Sequence, residues 1–359
     1  MPRGTHIRLG FSPPPLDDGP GIAHSTVASP VIAKLTDVSG PRPTDHHLLR
    51  DIGATVAATS AAAGVTWGSY NLLVWQAQKA RTVIPHRTDN APDGDGLYRP
   101  DGTGPIRVTR ANAADATLHL AVFGDSTAAG LGADTGVQTP GALLAHRIAV
   151  ETGNVVRYSN KAIVGATSKG LDSQIDAMLI AGHRPDIAVI LIGANDVTAR
   201  NGIRSSAVRV GKAVDRLRTI GAQVVVGTCP DMGVITAVPQ PLRSVLRLWG
   251  LRLAASQKSA VVAAGGRAVP MADLLSEEFR EAPDRMFSFD RYHPSNAGYE
   301  LAADILMPEV LVALGEWGPE PLPEPPEISP SVDNSKFTER LLRVVRTVRH
   351  VPMPHGRLG

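Results

Sequence analysis

The chain has 359 residues and a formal net charge of +2 at pH 7. A charge so close to zero gives no overall attraction to nucleic acid, so a nucleic-acid-binding protein is not expected. Hydrophobic residues make up 43% of the chain, which is enough for a sizeable core. The single cysteine, Cys229, excludes an internal disulfide. Because no metal-binding or redox spacing surrounds Cys229, we expect a buried structural thiol.

The first third of the chain falls into three segments. Residues 1–51 are rich in Pro, Gly, Ser, Thr and His, and their composition predicts a disordered leader. Residues 52–78 carry no charge, which predicts an apolar helix long enough to span a bilayer. This helix is a membrane anchor, a late export signal, or an Ala-rich helix packed on the domain. The first two are favoured, so a membrane-anchored or exported envelope protein is expected, with the cytoplasm as the alternative. Residues 79–116 predict an irregular linker.

Residues 117–315 are expected to form one α/β domain, because short apolar runs alternate with helical segments. The predicted strands are residues 118–123, 155–159, 186–192, 223–227 and 267–269. The predicted helices are residues 140–151, 171–181, 205–220, 242–264 and 296–314. This order predicts a five-stranded parallel sheet with helices on both faces, a flavodoxin-like three-layer α/β/α sandwich. Ligands bind outside the carboxyl ends of the strands in such sheets.

Two segments follow the predicted domain. Residues 316–334 are rich in Pro and Glu and predict an extended linker. Residues 335–359 begin with arginines that alternate with apolar residues, which predicts a basic amphipathic helix. Such a helix can lie on an anionic membrane, or it can be a terminal helix that packs on the domain or frays.

One short segment places an acid and a base close together. Asp290 lies three residues before His293, so a single turn can bring the carboxylate to the imidazole. A histidine oriented by a carboxylate activates a serine as a nucleophile. Ser126, in Gly124-Asp125-Ser126, follows the first predicted strand and lies near a helix N-terminus, which favours negative charge. Alone, Ser126 is equally well explained as a helix N-cap.

Two more polar positions follow predicted strands. Gly165 comes after the second strand and can bring a bare backbone N–H close to a substrate. Asn195 comes after the third strand and can direct its amide N–H to the same place. Taken by itself, Gly165 is explained as a loop glycine and Asn195 as a cap of the next helix. Because carboxyl ends of parallel strands share one edge of the sheet, we expect both to lie near Ser126.

These four blocks, in this order, resemble the SGNH/GDSL hydrolase family, which is named for such Ser, Gly, Asn and His residues. The resemblance covers roughly residues 118–314. It implies that Ser126 is the nucleophile and that Asp290 and His293 supply acid and base. It further implies an oxyanion hole formed by the backbone N–H of Ser126, the N–H of Gly165 and the Asn195 side chain.

The chain departs from the family pattern at two positions. Thr127 replaces the leucine of the familiar Gly-Asp-Ser-Leu, and Ala162 stands where the second block often has glycine. Neither change alters a catalytic atom.

The resemblance implies an esterase or lipase-like hydrolase that works through an acyl-enzyme and needs no metal and no cofactor. Its substrate is expected to be a small-molecule or lipid ester. The alternatives are an acyltransferase, thioesterase or carbohydrate deacetylase on the same fold, or a non-catalytic envelope binding protein. A flavodoxin-like nucleotide binder is disfavoured because residues 124–132 match no glycine-rich phosphate loop.

Overall fold

The computed structural model describes part of the chain, and the described residues all belong to one unit. The described residues are 71–76, 78–79, 90–182 and 184–316. The predicted leader (1–51) and basic tail (335–359) lie outside them, as do nearly all of the linker 316–334 and residues 52–70 of the apolar segment.

A sheet in the order β1-β3-β2-β4-β5-β6 forms the centre of the described part. Its strands are β1 (Gly96–Tyr98), β2 (Leu118–Gly124), β3 (Val156–Asn160), β4 (Ile187–Leu191), β5 (Gln223–Gly227) and β6 (Arg267–Val269). Strands β2 to β6 are parallel, which confirms the predicted five-stranded sheet, and each strand end lies within one residue of its predicted position. Strand β1 is an addition that pairs antiparallel with β3. Three residues among Gly, Asp and Pro carry too little alternation to predict a strand.

Helices cover both faces of this sheet. They are α1 (Ser126–Ala129), α2 (Pro140–Thr152), α3 (Leu171–Ile180), α4 (Ala194–Thr198), α5 (Ile203–Thr219), α6 (Leu242–Ala263), α7 (Met271–Glu281), α8 (Pro283–Met286) and α9 (Asn296–Leu314). The five predicted helices are α2, α3, α5, α6 and α9. Helices α1, α4 and α8 are too short to predict from periodicity, whereas α7 has 11 residues and was missed.

Two hydrophobic cores follow from the alternation of side chains along each strand. Leu120 and Val122 of β2 point to one face, where they join the core shared with α2 and α9. Ala121 and Phe123 point to the other face, where they join the core shared with α3 and α5. The sheet is therefore buried on both sides, as its nearly continuous apolar runs require.

Four neighbouring strands of the sheet, β2, β4, β5 and β6, end at paired residues. Gly124 of β2 pairs with Leu191 of β4, Leu191 pairs with Gly227 of β5, and Gly227 pairs with Val269 of β6. Strand β2 lies beside β4, and the chain runs from β2 to β3 on one side of this pair and from β4 to β5 on the other side. This is a topological switch point, where a crevice opens beyond the strand ends. Ser126 is two residues beyond the end of β2.

Two buried glutamines hold the strand ends. Gln174 of α3 accepts a hydrogen bond from the N–H of Gly124 (2.8 Å) and donates one to its carbonyl (2.7 Å). Gln257 of α6 accepts from the N–H of Cys229 (2.7 Å) and donates to the carbonyl of Ile192 (3.0 Å). Each side chain satisfies one N–H and one C=O that the sheet leaves unpaired, as buried backbone groups require.

The described end of the apolar segment 52–78 is helical at residues 71–76 and contacts the domain. The Gln76 side chain is buried, donates to the carbonyl of Gln240 and accepts from the N–H of Leu242 (3.0 Å). Among the residues that the structure describes, no helix has the length and hydropathy needed to cross a membrane.

We expect Gln174→Ala to lower the free energy of unfolding by about 2 kcal/mol, because it leaves the buried N–H of Gly124 without a partner and removes one of the two hydrogen bonds to the Gly124 carbonyl. Gln223→Ala is the matched control, since Gln223 is exposed and accepts only an exposed hydrogen bond from Arg218. Urea unfolding of both variants measures the difference. Equal losses of stability would contradict this role of Gln174.

Candidate active site

The turn that carries Ser126 depends on a glycine and an aspartate. Gly124 has φ of +140°, and a Cβ there would lie 1.9 Å from the carbonyl oxygen of Leu191, so only glycine fits. Asp125 then caps α1 by accepting a hydrogen bond from the N–H of Thr127 (3.0 Å). Ser126 thereby becomes the first residue of α1 and lies at the crevice beyond β2.

The loop before α9 carries the acid and the base. Oδ1 of Asp290 accepts hydrogen bonds from the Ser288 hydroxyl and from the N–H groups of Tyr292 and His293, each at 2.9 Å. The carbonyl of His293 accepts from the N–H of Ser288 (2.8 Å), which closes the loop. These contacts hold both side chains in one orientation.

Ser126, His293 and Asp290 form a continuous chain of hydrogen bonds. Nε2 of His293 lies 3.0 Å from Oγ of Ser126, and Nδ1 lies 2.7 Å from Oδ2 of Asp290. Ser126 is 7% exposed and Asp290 is 1% exposed. A hydroxyl, an imidazole and a buried carboxylate in this order can deprotonate the serine and stabilise the resulting imidazolium.

Hydrogen bonds keep Asp290 ionised. Burial by itself raises the pKa of this carboxyl, but the hydrogen bonds from the His293 ring and from the backbone of His293 and Tyr292 outweigh it. The pKa of Asp290 is therefore well below its ordinary value. An ionised carboxylate fixes the proton of His293 on Nδ1, which leaves Nε2 free to accept from Ser126.

Asp125 is perturbed in the opposite direction. Burial raises the pKa of its carboxyl to about 6, although the N–H groups of Thr127 and Gly193 and the charge of His293 lower it. Two aspartates of one site thus differ because hydrogen bonding dominates at Asp290 and desolvation dominates at Asp125.

Gly165 lies in an exposed turn. Its φ is +81°, and the turn closes with a hydrogen bond from the N–H of Ala166 to the carbonyl of Ile163 (2.9 Å). The N–H of Ile163 donates to the carbonyl of Gly124 (3.1 Å), which ties the turn to the strand end before Ser126. Among the described residues, the N–H groups of Gly165 and Ser126 donate to no other group.

Asn195 is joined to this turn, and its neighbour holds both in place. Nδ2 of Asn195 donates to the carbonyl of Ala166 (3.0 Å), which leaves the second amide hydrogen for another acceptor. Asp196 is fully buried and accepts from the N–H (2.8 Å) and the hydroxyl (2.7 Å) of Ser168. It also accepts from the hydroxyl of Ser206 on α5 (2.8 Å).

A mostly apolar cavity extends from Ser126 and His293 between β5, α7 and α9, with a volume of about 100 Å³. Asn195 also lines it, whereas Gly165 does not. Its apolar wall includes Met232, Val234, Ile235, Met271, Leu275, Phe279 and Phe287. A cavity that holds one water molecule has a volume of about 10–15 Å³, so this cavity has room for a short chain of carbon atoms.

Cys229 and His119, two reactive side chains away from the serine, have structural surroundings. Cys229 is buried, and burial raises the pKa of its thiol. His119 is buried with Nε2 3.1 Å from the Ser159 hydroxyl, and His183 lies outside the described residues. Within the described ranges, no three His, Cys, Asp or Glu side chains are grouped so as to hold a metal ion.

Sequence reasoning missed the residues that position the site. Gln174, Gln257 and Asp196 lie in helices or beside a motif, and none was singled out. A signal was present, because a glutamine on the apolar face of a helix is costly to bury without partners. The identity of those partners depends on contacts between distant parts of the chain.

Comparisons with known proteins found a family model and several relatives that match this chain. Residues 122–301 match the model of the GDSL-like lipase/acylhydrolase family. GDSL-like esterase Rv1075c of Mycobacterium tuberculosis (strain ATCC 25618 / H37Rv) is 49% identical over 305 residues, or 83% of this chain and 96% of that protein. The crystal structure of TesA is 24% identical and covers 55% of this chain and 97% of its own, with a TM-score of 0.42. The crystal structure of the lipase/acylhydrolase from Enterococcus faecalis is 23% identical. It covers 57% of this chain and 100% of its own, also with a TM-score of 0.42.

The parallel α/β sheet and the family match define a hydrolase that cleaves ester bonds. The chain belongs to the GDSL-like lipase/acylhydrolase family. The resemblance stated from the sequence is confirmed, and a small-molecule ester substrate follows from it.

We expect the burial of Asp125 to make stability depend on pH. The unfolded chain releases this proton near pH 3.8 and the folded protein near pH 6, so the protonated form is the one that folding favours. Relative to Asp125→Asn, the free energy of unfolding of the wild type should fall by about 3 kcal/mol between about pH 4 and pH 6. Urea unfolding across this range measures both proteins. A difference that does not change with pH would contradict the raised pKa.

Proposed function

We propose that this protein is a serine esterase in which Ser126, His293 and Asp290 act as a catalytic triad. One observation carries the proposal: a single hydrogen-bonded chain joins the serine hydroxyl to the imidazole (3.0 Å) and the imidazole to a buried carboxylate (2.7 Å). A serine with such partners is an activated nucleophile, and a structural N-cap needs neither of them.

In the first step, Oγ of Ser126 attacks the ester carbonyl carbon while Nε2 of His293 takes the hydroxyl proton. The tetrahedral intermediate carries its negative charge on the former carbonyl oxygen. Its collapse breaks the bond to the leaving alcohol, which receives the proton from His293. Water then attacks the acyl-enzyme with the same base, which releases the acid and restores Ser126.

The oxyanion is stabilised by the N–H groups of Ser126 and Gly165 and by the free amide hydrogen of Asn195. Two observations support this assignment. The two backbone N–H groups have no acceptor among the described residues, and the bond from Asn195 to Ala166 fixes the amide plane. Donors held in place before the reaction need no reorganisation when the charge develops.

The acyl group of the ester occupies the cavity beside Ser126. The cavity wall supplies Met, Val, Ile, Leu and Phe side chains, which favour an alkyl chain over a sugar or a charged group. We propose a carboxylic ester with a short to medium apolar acyl chain as the substrate class.

We expect Ser126→Ala to lower the hydrolysis of p-nitrophenyl acetate and butyrate by at least about 10³-fold and to abolish labelling by a fluorophosphonate probe. Ser259→Ala is the matched control, because Ser259 is exposed and its hydroxyl donates to the carbonyl of Ala255 on the same helix. Equal rates for the wild type and Ser126→Ala would exclude Ser126 as the nucleophile.

Asn195→Ala tests the oxyanion hole in the same assay. It should lower kcat on the order of 10²–10³-fold, because the donor acts mainly in the transition state. A change in KM alone would point to substrate binding and would contradict the assignment.

We expect Ile235→Trp to shorten the acyl chains that the enzyme accepts. Ile235 is buried in the cavity wall, so a larger ring there removes space beside Ser126. The ratio of kcat/KM for butyrate over acetate should fall by roughly tenfold, whereas acetate turnover should change little. Val245→Trp, at an exposed position of α6 outside the cavity, is the control. An unchanged ratio would exclude this cavity as the acyl site.

We further propose that the enzyme is located in the cell envelope. The support is the uncharged segment 52–77, with the basic tail 335–359 as a second membrane contact. Fractionation of cells that produce the full chain, with N-terminal sequencing of the product, measures both location and cleavage. An uncut chain in the cytoplasmic fraction would contradict the proposal.

A further inference from the structure

A second cavity, separate from the acyl cavity, lies between the start of α6 and the end of α7. It is polar and has a volume of about 160 Å³. Its charged lining consists of Arg243 and Arg247 of α6, Arg280 of α7, and Asp231 from the loop after β5. Asp231 also lines the acyl cavity, so this residue is the wall that the two cavities share.

Two of the three arginines are held by Asp231. Nε of Arg247 lies 3.1 Å from Oδ2 of Asp231, and Nη2 of Arg280 lies 3.6 Å from the same oxygen. The carboxylate also accepts from the N–H of Gly233 (2.8 Å) and from the Ser276 hydroxyl (3.3 Å). These contacts fix the guanidinium groups at the edge of the cavity.

Arg243 has no such partner. Its Nε is buried from solvent and donates no hydrogen bond to any residue that the structure describes. No other described residue forms an ion pair with Arg243, although its side chain lines a polar cavity. A buried, unsatisfied N–H of a charged group is costly, so a site of this kind is stabilised by an acceptor that enters it.

The charges of this cavity define the acceptor. Three guanidinium groups and one carboxylate leave two formal positive charges, and no other described charged residue lines the cavity. A phosphate monoester carries a charge of about −1.5 to −2 at pH 7 and three acceptor oxygens. Planar guanidinium groups bind such oxygens in pairs, and a phosphate offers three oxygens and up to two negative charges where a carboxylate offers two oxygens and one charge.

We propose that Arg243, Arg247 and Arg280 form a binding site for a phosphate group. The group is either free phosphate or a phosphate carried by the ester substrate. The second form rests on the proposed esterase function. Because Asp231 lines both cavities, they are adjacent, and one molecule would place its acyl chain in the first and its phosphate in the second.

Titration of the full chain with inorganic phosphate tests the site without catalysis, and the broadening of the ³¹P NMR line measures binding. Arg243→Gln should weaken binding by roughly tenfold or more, the effect of losing a charge-assisted hydrogen bond. Arg252→Gln removes the same charge from α6, nine residues on and therefore about 180° around the helix, and should bind as the wild type does. Ser126→Ala should also bind phosphate, so a wrong nucleophile assignment would not affect this result.

Three results would overturn the proposal: no binding to the wild type, unchanged binding to Arg243→Gln, or equal weakening in Arg243→Gln and Arg252→Gln. Arg243→Lys keeps the charge and should retain part of the affinity, which separates loss of the site from loss of folding.

A pair of esters with the same acyl group distinguishes the two sources of phosphate. One ester has a phosphate on its alcohol and the other is neutral. If the substrate carries the phosphate, Arg243→Gln lowers kcat/KM for the phosphorylated ester alone. If the ligand is free phosphate, neither rate changes while phosphate binding is lost. An equal fall for both esters would show that Arg243 acts on the active site in general, which contradicts a phosphate site.

Discussion

The site depends on one constraint, the common level at which the parallel strands end. The pairing of Gly124 with Leu191 and of Leu191 with Gly227 brings the loops after β2, β4 and β5 to one edge. Ending strands there leaves N–H and C=O groups without sheet partners in a buried place, at a cost of about 1–3 kcal/mol each. Gln174 and Gln257 satisfy four of these groups from the helices on that face of the sheet. The same two glutamines therefore stabilise the ends of the sheet and fix the position of the turn that carries Ser126.

The two aspartates at this edge of the sheet, Asp290 and Asp125, have pKa values shifted in opposite directions by their surroundings. Asp290 accepts three hydrogen bonds on one oxygen and the His293 ring on the other, so it stays charged although it is buried. Asp125 accepts fewer and is fully buried, so burial dominates and its pKa rises. A charged Asp290 stabilises an imidazolium, and an Asp125 carboxylate nearby adds to that stabilisation only when it has lost its proton.

The sequence predicts the sheet well because each central strand is a nearly continuous apolar run. A strand that is buried on both faces requires such a run, whatever its particular neighbours are. It also predicts that Ser126, Asp290 and His293 meet, since their spacing and order match a known family. It does not predict β1, whose three residues carry no pattern, or the roles of Gln174 and Asp196. Those roles are set by which backbone groups happen to face each side chain, and this is a property of packing between distant segments.

Asp231 shows how one buried charge can serve two neighbouring cavities. Its carboxylate is fully buried beside an apolar wall, where an unpaired charge would cost several kcal/mol. Arg247 and Arg280 compensate that charge from the polar side, so the acyl cavity keeps its apolar lining next to an ionised group. The same arrangement holds these arginines beside Arg243, which no acid among the described residues neutralises. The compensation that keeps one cavity apolar therefore leaves the other with an excess of positive charge.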